Sequence, residues 1–323
     1  MSSDVVICLF ASHGYDRAAQ GVAGAGRNLA AQLGGSLHAV IVGPPDEVTT
    51  SAAAAVADTV TVLDQPELAD YQPELCLAAL HQACEQLDPA AVLLGSDTAS
   101  LELTARLAAR LDGSPMSDGT ALAVADGAIR VTRSAYGGKA EAVLELKKSP
   151  AVVWLRARGF EPAEPTGGEA SVERTIVDLP DPVPTRIVDR RVEGTEGIPL
   201  EDAQLVLGGG RGIGGAEPFD QLRQLAEVMT AAVGASRAAC DEGWVPPSAQ
   251  IGQTGKKIAP ELYLAIAISG AAQHVLGISD AKAVCAINND PDAQIFRRSH
   301  FGIVEDYRKV VPLLIERLRM LTS

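Results

Sequence analysis

The sequence predicts an α/β protein of two domains: an N-terminal parallel-sheet domain with a β appendage, and a C-terminal doubly wound domain. Three observations carry this. Short β-branched runs alternate with helix-period segments, at a pace that suits parallel strands covered on both faces. A proline-rich stretch divides the 323 residues near their middle. Aromatic residues are only 4% against 47% hydrophobic, so the cores must be built from Ala, Val, Leu and Ile.

Val5 to Phe10 reads as a buried strand, and Ala18 to Leu33 as a helix that stops at Gly34-Gly35. Leu37 to Val42 is a second strand, turned by Gly43-Pro44-Pro45. A helix from Thr49 to Val56 leads to a strand at Thr59 to Leu63. Glu74 to Gln86 is helical, Ala91 to Leu94 a strand, and Ser100 to Leu111 a helix with Gly113 beyond its end. From Leu122 the texture changes. Ala128 to Ser134 and Glu141 to Leu146 read as antiparallel strands around Tyr136-Gly137-Gly138, and Ala151 to Leu155 as a further strand. Little chemistry shows here. Ser12-His13-Gly14-Tyr15 follows the first strand, where α/β proteins place ligands, but a solvated loop is the plainer reading. Ser96-Asp97-Thr98 reads first as a helix cap. His38 and His81 stand alone, without a metal partner at ligand spacing.

Gly159 to Gly194 holds Pro162, Pro165, Pro180, Pro182 and Pro184, plus Gly167-Gly168 and a run of acids. No helical periodicity survives five prolines. The stretch is a boundary or an extended wrapping segment. The expected domains are 1–160 and 196–323, with a linker at 161–195.

Gln204 to Leu207 is a strand that runs into Gly208-Gly209-Gly210-Arg211-Gly212-Ile213-Gly214-Gly215, then a helix from Pro218 to Val233. Gly210, Gly212 and Gly215 satisfy G-x-G-x-x-G, which lets backbone N–H groups approach a pyrophosphate. A glycine-rich turn without a ligand fits the same residues. A nicotinamide dinucleotide would want an acid about 20 residues on, to hold a ribose. The sequence has Gly234-Ala235-Ser236-Arg237 there, a cation in place of the anion, which counts against that cofactor. Further polar runs follow at Gln250 to Lys256, Ser269 to His274, and Asn288 to Pro291. Polar clusters at successive strand ends are how a cofactor is gripped at the carboxyl edge of a parallel sheet.

Lys plus Arg total 27 and Asp plus Glu 41, a formal charge of −14. That balance argues against a general nucleic-acid binder and against docking on an anionic membrane face. Five cysteines (Cys8, Cys76, Cys84, Cys240, Cys285) include no Cys-x-x-Cys, so neither a disulfide framework nor a zinc site is expected. The N-terminus lacks a basic segment and no apolar run reaches about 18 residues, so neither a signal peptide nor membrane insertion is expected. A cytoplasmic location follows for a bacterial protein, or the mitochondrial matrix for a eukaryotic one, although no transit peptide is seen.

The strings Gln-Ile-Gly-Gln-Thr-Gly-Lys at 250–256, Ile-Ser-Gly-Ala-Ala-Gln-His at 268–274 and Ala-Ile-Asn-Asn-Asp-Pro at 286–291 are long, ordered and consistently spaced. From Leu205 to Pro312 the chain resembles the alpha subunit of electron transfer flavoproteins, with a fainter likeness over the first half. The resemblance implies a doubly wound FAD-binding domain at the C-terminus and a nucleotide-binding-like domain at the N-terminus that pairs with a β subunit. It implies one FAD here, and AMP or a second FAD in the β subunit.

Carried over residue by residue, the resemblance puts Arg211 on the diphosphate side, where a surface Arg is the competing reading. Ser236 and Arg237 fall beside the isoalloxazine, where a guanidinium would favour the negative charge of one-electron reduction. A helix-surface ion pair of Arg237 with Asp241 competes with that role. Thr254 matches the residue whose hydroxyl bonds the ring N5, with Gln250, Ile251, Gly252, Gln253 and Gly255 making up its loop. Ser269, Gly270, Ala271 and Ala272 open a helix whose amides would meet phosphate or a ring carbonyl. Gln273 and His274 match the ring-facing pair, with His274 near the flavin O2 and helping to bear its charge. Asn288 resembles an adenosine-side contact and Asp306, with Tyr307 beside it, a ribose or adenine contact. Asp306 also reads as the cap of a helix from Tyr307 to Leu321. Three positions depart from the family pattern: Ala267 for a usual Gly, Gln294 for a usual Pro, and Ser299-His300 for a small residue and an Asp.

The implied role is an electron carrier, not an enzyme with its own small substrate. Electrons would arrive from flavin dehydrogenases, acyl-CoA dehydrogenases among them, and leave to the membrane-bound electron transfer flavoprotein-quinone oxidoreductase. No Ser/His/Asp set, carboxylate pair or metal cluster is legible. An electron-bifurcating subunit, a nicotinamide-binding paralogue and a non-redox scaffold of the same fold stay open.

Overall fold

β1 (Val5–Phe10) is buried at all six residues, as a central parallel strand must be. The structure, a computed structural model, describes residues 2–322 except 96, 137–139, 169, 181–182, 184, 186 and 190–197. Two compact units emerge, Met1–Arg191 and Val192–Ser323. In the first, β1 is followed by α1 (Arg17–Leu33), β2 (Leu37–Val42), α2 (Glu47–Val56), β3 (Thr59–Leu63), α3 (Pro73–Leu87), β4 (Ala91–Leu94) and α4 (Thr98–Arg110). Then come β5 (Ser114–Ala125), β6 (Ala128–Ala135), β7 (Ala140–Glu145), β8 (Ala151–Leu155) and β9 (Ser171–Thr175). The strand order is β7-β6-β5-β8-β4-β1-β2-β3-β9. Pairings from β5 through β9 are parallel, and β5, β6 and β7 form the antiparallel appendage. Alternation along β1 sorts the core. Val5, Ile7 and Leu9 join the cluster with α1 and α2, whereas Val6, Cys8 and Phe10 join the one with α3 and α4.

Two features of this unit escape the sequence pattern. β5 begins at Ser114, well before the change of texture at Leu122. Pro115, Asp118 and Gly119 look like turn residues, but Pro115 sits near the strand's start and an irregularity next to Gly119 absorbs the misfit. The proline-rich stretch contributes a strand, because β9 pairs with β3 and closes that sheet edge. The described residues before and after β9 lie on the first unit. Arg17 Nη2 donates to the Phe160 carbonyl at 2.8 Å, and Val177 N–H donates to Gln65 Oε1 at 2.8 Å. Prolines remove the helix signal yet leave an extended chain able to line an edge. Pro182, Pro184 and Gly194 lie outside the described residues, as do Ser96 and the Gly137-Gly138 turn.

The second unit runs β10 (Leu205–Gly209), α5 (Phe219–Met229), β11 (Ala232–Ala235), α6 (Arg237–Asp241), β12 (Leu262–Ile266), α7 (Ala272–Val275), β13 (Ala283–Asn288), β14 (Phe301–Val304) and α8 (Tyr307–Thr322). Its five strands are all parallel, in the order β11-β10-β12-β13-β14. The chain leaves β10 to one side and crosses back to β12 on the other. A crevice outside the carboxyl ends of those two strands is the expected binding place in such a sheet. α5 and α8 cover one face, over Leu207, Leu264, Ile266 and Ile287. Irregular chain covers the other, with Ile251, Ile258, Ile278 and Ile295 on Val206, Tyr263, Ala265 and Ala286.

The helix expected over Pro218 to Val233 ends at Met229, where Thr230 takes a left-handed conformation. Ala232–Ala235 becomes an edge strand instead, because β10 offers it a parallel partner. Small apolar residues suit either state, and tertiary pairing decides. The helix expected from Ser269 starts only at Ala272 and runs four residues. Among the described residues, no helix is long and apolar enough to cross a membrane, and no cluster of His, Cys, Asp and Glu could hold a metal ion. All five cysteines are free thiols, and burial pushes that of Cys84 up to about 12.

Candidate cofactor site

A cavity of about 730 Å³ lies at the crossing between β10 and β12. Four successive strand ends feed it: Arg211 after β10, Ser236 and Arg237 after β11, Ser269, Ala271, Gln273 and His274 after β12, and Asn288 at the end of β13. The loop before β12 adds Gln250, Ile251, Gly252, Gln253 and Thr254. Arg211 and Asn288, 77 positions apart, thus meet because parallel strands bring their carboxyl ends to one edge.

Ser236 precedes α6 but its hydroxyl makes no capping hydrogen bond, which leaves it for a ligand. Arg237 is mostly exposed, and its Nε lies 3.3 Å from the Asp241 carboxylate, four residues on. The helix-surface ion pair therefore exists, and it stands at the cavity rim. Asp241 was not among the expected site residues, although its i,i+4 spacing from Arg237 was visible. Asp290, Ile268 and Ala293 also line the cavity unforeseen.

The loop Gln250 to Lys256 is stitched from several sides. Ile251 N–H donates to the Ala235 carbonyl at 2.9 Å, Gln253 N–H to Gln273 at 2.7 Å, and Lys256 N–H to Gln250 at 2.8 Å. Gln250 Nε2 donates to Thr254 Oγ1 at 2.9 Å. That bond occupies a lone pair and leaves the Thr254 proton to donate elsewhere. Lys256 Nζ pairs with Glu201 at 2.8 Å.

His274 differs from expectation. Its ring is buried and both nitrogens are engaged by the protein. Nδ1 lies 3.0 Å from the Ile251 carbonyl, and Nε2 lies 2.8 Å from Tyr263 Oη. A carbonyl only accepts, so Nδ1 carries the proton and Nε2 accepts from the phenol. Burial pushes the imidazole down to about 4, against the opposite pull of the Ile251 carbonyl. His274 is thus neutral near pH 7, and the cavity's nearby cations are Arg211 and Arg237.

Five expected residues do not line this cavity. Gly255 closes the loop, since a Cβ there would lie 2.4 Å from the Gln250 carbonyl oxygen. Gly270, at φ +85°, lets Ile295 approach, and Ala272 is the exposed first residue of α7. Asp306 and Tyr307 lie in an adjoining recess of about 90 Å³ that shares Gly212, Ala267 and Asn288 with the cavity. Asp306 accepts from Arg308 N–H at 2.9 Å, as a helix cap, and Tyr307 donates its hydroxyl to the Ile213 carbonyl at 2.7 Å. Asn288 is also committed: Nδ2 donates to the Ile268 carbonyl at 2.9 Å and Oδ1 accepts from Asp290 N–H at 3.0 Å.

The glycine turn serves chain contact. A Cβ on Gly210 would lie 2.0 Å from the Ala267 carbonyl oxygen, and α5 begins only at Phe219. The G-x-G-x-x-G match therefore lacks the turn-into-helix geometry that places a pyrophosphate on a long helix. His300, one of the departures from the family pattern, does not line the cavity. Its Nδ1 accepts from Val284 N–H at 3.0 Å, near the start of β13 and so at the end of that strand opposite Asn288. Gln294 is exposed at the start of a short 3₁₀ turn.

In the first unit, the place after β1 and β4 is a recess of only about 40 Å³. Asp16 and Asp97 cap α1 and α4 there, accepting from Ala19 N–H at 2.8 Å and Ser100 N–H at 2.7 Å. These carboxylates take amides that a phosphate would use. Ser12 to Tyr15 stays a loop around a 3₁₀ turn.

The 730 Å³ cavity fits a dinucleotide's demands: two cations, an uncommitted serine hydroxyl, an outward threonine hydroxyl, and apolar walls from Ile251 and Ile268. Residues 199–279 match the electron transfer flavoprotein FAD-binding domain, and residues 11–181 match the electron transfer flavoprotein domain. A two-unit α/β chain with such a domain is an FAD-binding flavoprotein of electron transport. The electron transfer flavoprotein subunit alpha of Bacillus subtilis (strain 168) is 38% identical over 82% of this chain and 82% of its own length. The subunit alpha of Thermoanaerobacterium thermosaccharolyticum is 35% identical over 93% of this chain and 92% of its own. Protein FixB of Azorhizobium caulinodans is 37% identical over 92% and 83%. The chain belongs to the alpha-subunit family of electron transfer flavoproteins.

Proposed function

We propose that the cavity at the β10–β12 crossing is where the FAD sits, and that this chain carries electrons between flavin dehydrogenases and a membrane quinone reductase as one half of a pair with a β subunit. The supporting observation is the convergence of Arg211, Ser236, Arg237 and Thr254 on one cavity of dinucleotide size. When bound, FAD supplies reversible one-electron chemistry, so the protein needs no nucleophile or acid–base pair of its own. Arg237 places a cation at the rim, which lowers the cost of added negative charge nearby. Thr254, held by Gln250, offers a hydroxyl proton into the cavity. Ser236 offers its hydroxyl beside them. In this reading the β subunit carries AMP.

The test is co-expression with the partner subunit, cofactor extraction and a redox titration. The expected outcome is one FAD assigned to this chain, AMP from its partner, and reduction in two one-electron steps. A colourless pair that takes up no added FAD overturns the reading. So does FAD whose binding is unaffected by R211A, R237A and T254A together.

A further inference from the structure

Four elements of the second unit meet at one buried side chain. Tyr263 is fully buried on β12, and its hydroxyl reaches His274 Nε2 at 2.8 Å. His274 is on α7, and its Nδ1–H reaches the carbonyl of Ile251 in the loop. The space for the Tyr263 hydroxyl is made by Gly208 on β10. Ile251 is itself anchored by its backbone on β11 and by its side chain over Gly234. Three residues later the same loop presents Thr254 to the cavity.

We propose that Tyr263 is a positioning residue for the cofactor site: by occupying His274 Nε2 it keeps that imidazole neutral with its proton on Nδ1, and so pins the Gln250–Lys256 loop that carries Thr254. A ring protonated on both nitrogens could not accept the phenol proton, and a ring protonated on Nε2 could not hold the Ile251 carbonyl. Loss of the Nδ1 proton breaks the clamp at the loop, and full protonation turns the phenol from donor to acceptor, so that its own buried proton must find another partner. The phenol cannot reverse the arrangement by ionising, because burial pushes its pKa well above the usual range. Tyr263 is the titratable group that faces the imidazole from β12. The loop faces it with the Ile251 carbonyl, and burial together with that carbonyl sets its protonation. In this arrangement the loop's grip depends on a tautomer, and charge near the cofactor is left to the arginines.

The consequence for Thr254 rests on the FAD reading above, but the state of the imidazole does not, so the two can fail separately. The first measurement is nitrogen-15 NMR of the histidine rings in the FAD-loaded complex with its partner, with H274Q giving the assignment. The expected signal has Nδ1 protonated and Nε2 bare, unchanged from pH 6 to pH 8. Titration in that window, or a proton on Nε2, overturns the proposal without any further variant. The second measurement is FAD release followed by fluorescence. Y263F is expected to speed release severalfold, and H274Q to do the same. Y263F added to H274Q is expected to change release less than twofold further, because Tyr263 acts through His274. Independent, multiplying effects of the two substitutions overturn it. Should Y263F not fold, the ring measurement on the parent protein still decides.

Discussion

The hydroxyl of Tyr263 stands where a side chain at Gly208 would be: a Cβ built on Gly208 lies 1.7 Å from Tyr263 Oη. Val206 is the register partner of Tyr263, so the ring leans along the sheet across the residue two positions further on. That diagonal lean is what brings the phenol to His274.

Substituting Gly208→Ala therefore forces a methyl onto a ring with no room to retreat. The expected cost is at the upper end of overpacking, about 3 kcal/mol, read as a lower urea midpoint with unchanged slope. Gly215→Ala is the control, since its Cβ would meet Pro218 at an ordinary 3.4 Å. Equal stability of the two variants would contradict the clash.

Ala267 adopts φ +54°, a left-handed conformation that costs a residue with a Cβ about 1–2 kcal/mol. The same residue borders both the large cavity and the recess at Asp306. Ala267→Gly is expected to stabilise the fold by about 0.5–1 kcal/mol, after allowing for glycine's greater freedom when unfolded. Calorimetry checks it, and a lower melting temperature would refute it.

Acid should weaken the second unit through His274. Its ring titrates about 4 when folded, below the ordinary 6.5, so the unfolded chain binds the proton first as pH falls. The contribution is whole above 6.5, and is lost as pH falls from there to 4. Its size is at most about 3 kcal/mol. Urea unfolding at intervals from pH 7 to pH 4.5 should show a shallower slope for H274N than for the parent. Identical slopes would remove His274 from the account.

Arg237 and Asp241 are both more than 60% exposed, so their ion pair should add little to stability, about 0–1 kcal/mol. Its weight is expected in the cofactor. Arg237→Ala should lower the flavin's reduction potential, and Asp241→Asn should raise it by freeing the guanidinium. Spectroelectrochemistry reads both, and shifts of the same sign would contradict the arrangement.

Much of this site was legible in advance because its residues come in short runs after apolar strands. Arg211, Ser236, Arg237, the Gln250 to Thr254 stretch and Gln273 all line the cavity. Local pattern could not show whether a named residue faces the cavity or serves the chain. Gly255, Gly270 and Tyr307 are spent on close approach and internal hydrogen bonds. Asp241 and Asp290 stand in view in the sequence, one at i,i+4 from Arg237 and the other in the polar run after β13, but only the convergence of loops puts them on the cavity wall.

The sequence alone determined the alternation of strands and helices, the two-domain division near the proline-rich stretch, and the strings that mark the family. These are local properties, set by period, by turn residues and by order along the chain. Tertiary structure decided that Ala232–Ala235 is an edge strand, that part of the proline-rich stretch closes a sheet, and that His274 is neutral. Each of these depends on contacts outside its own segment: pairing with β10, pairing with β3, and burial of the imidazole beneath the Ile251 loop. A contact of this kind can override local preference, and no residue pattern within one segment records it.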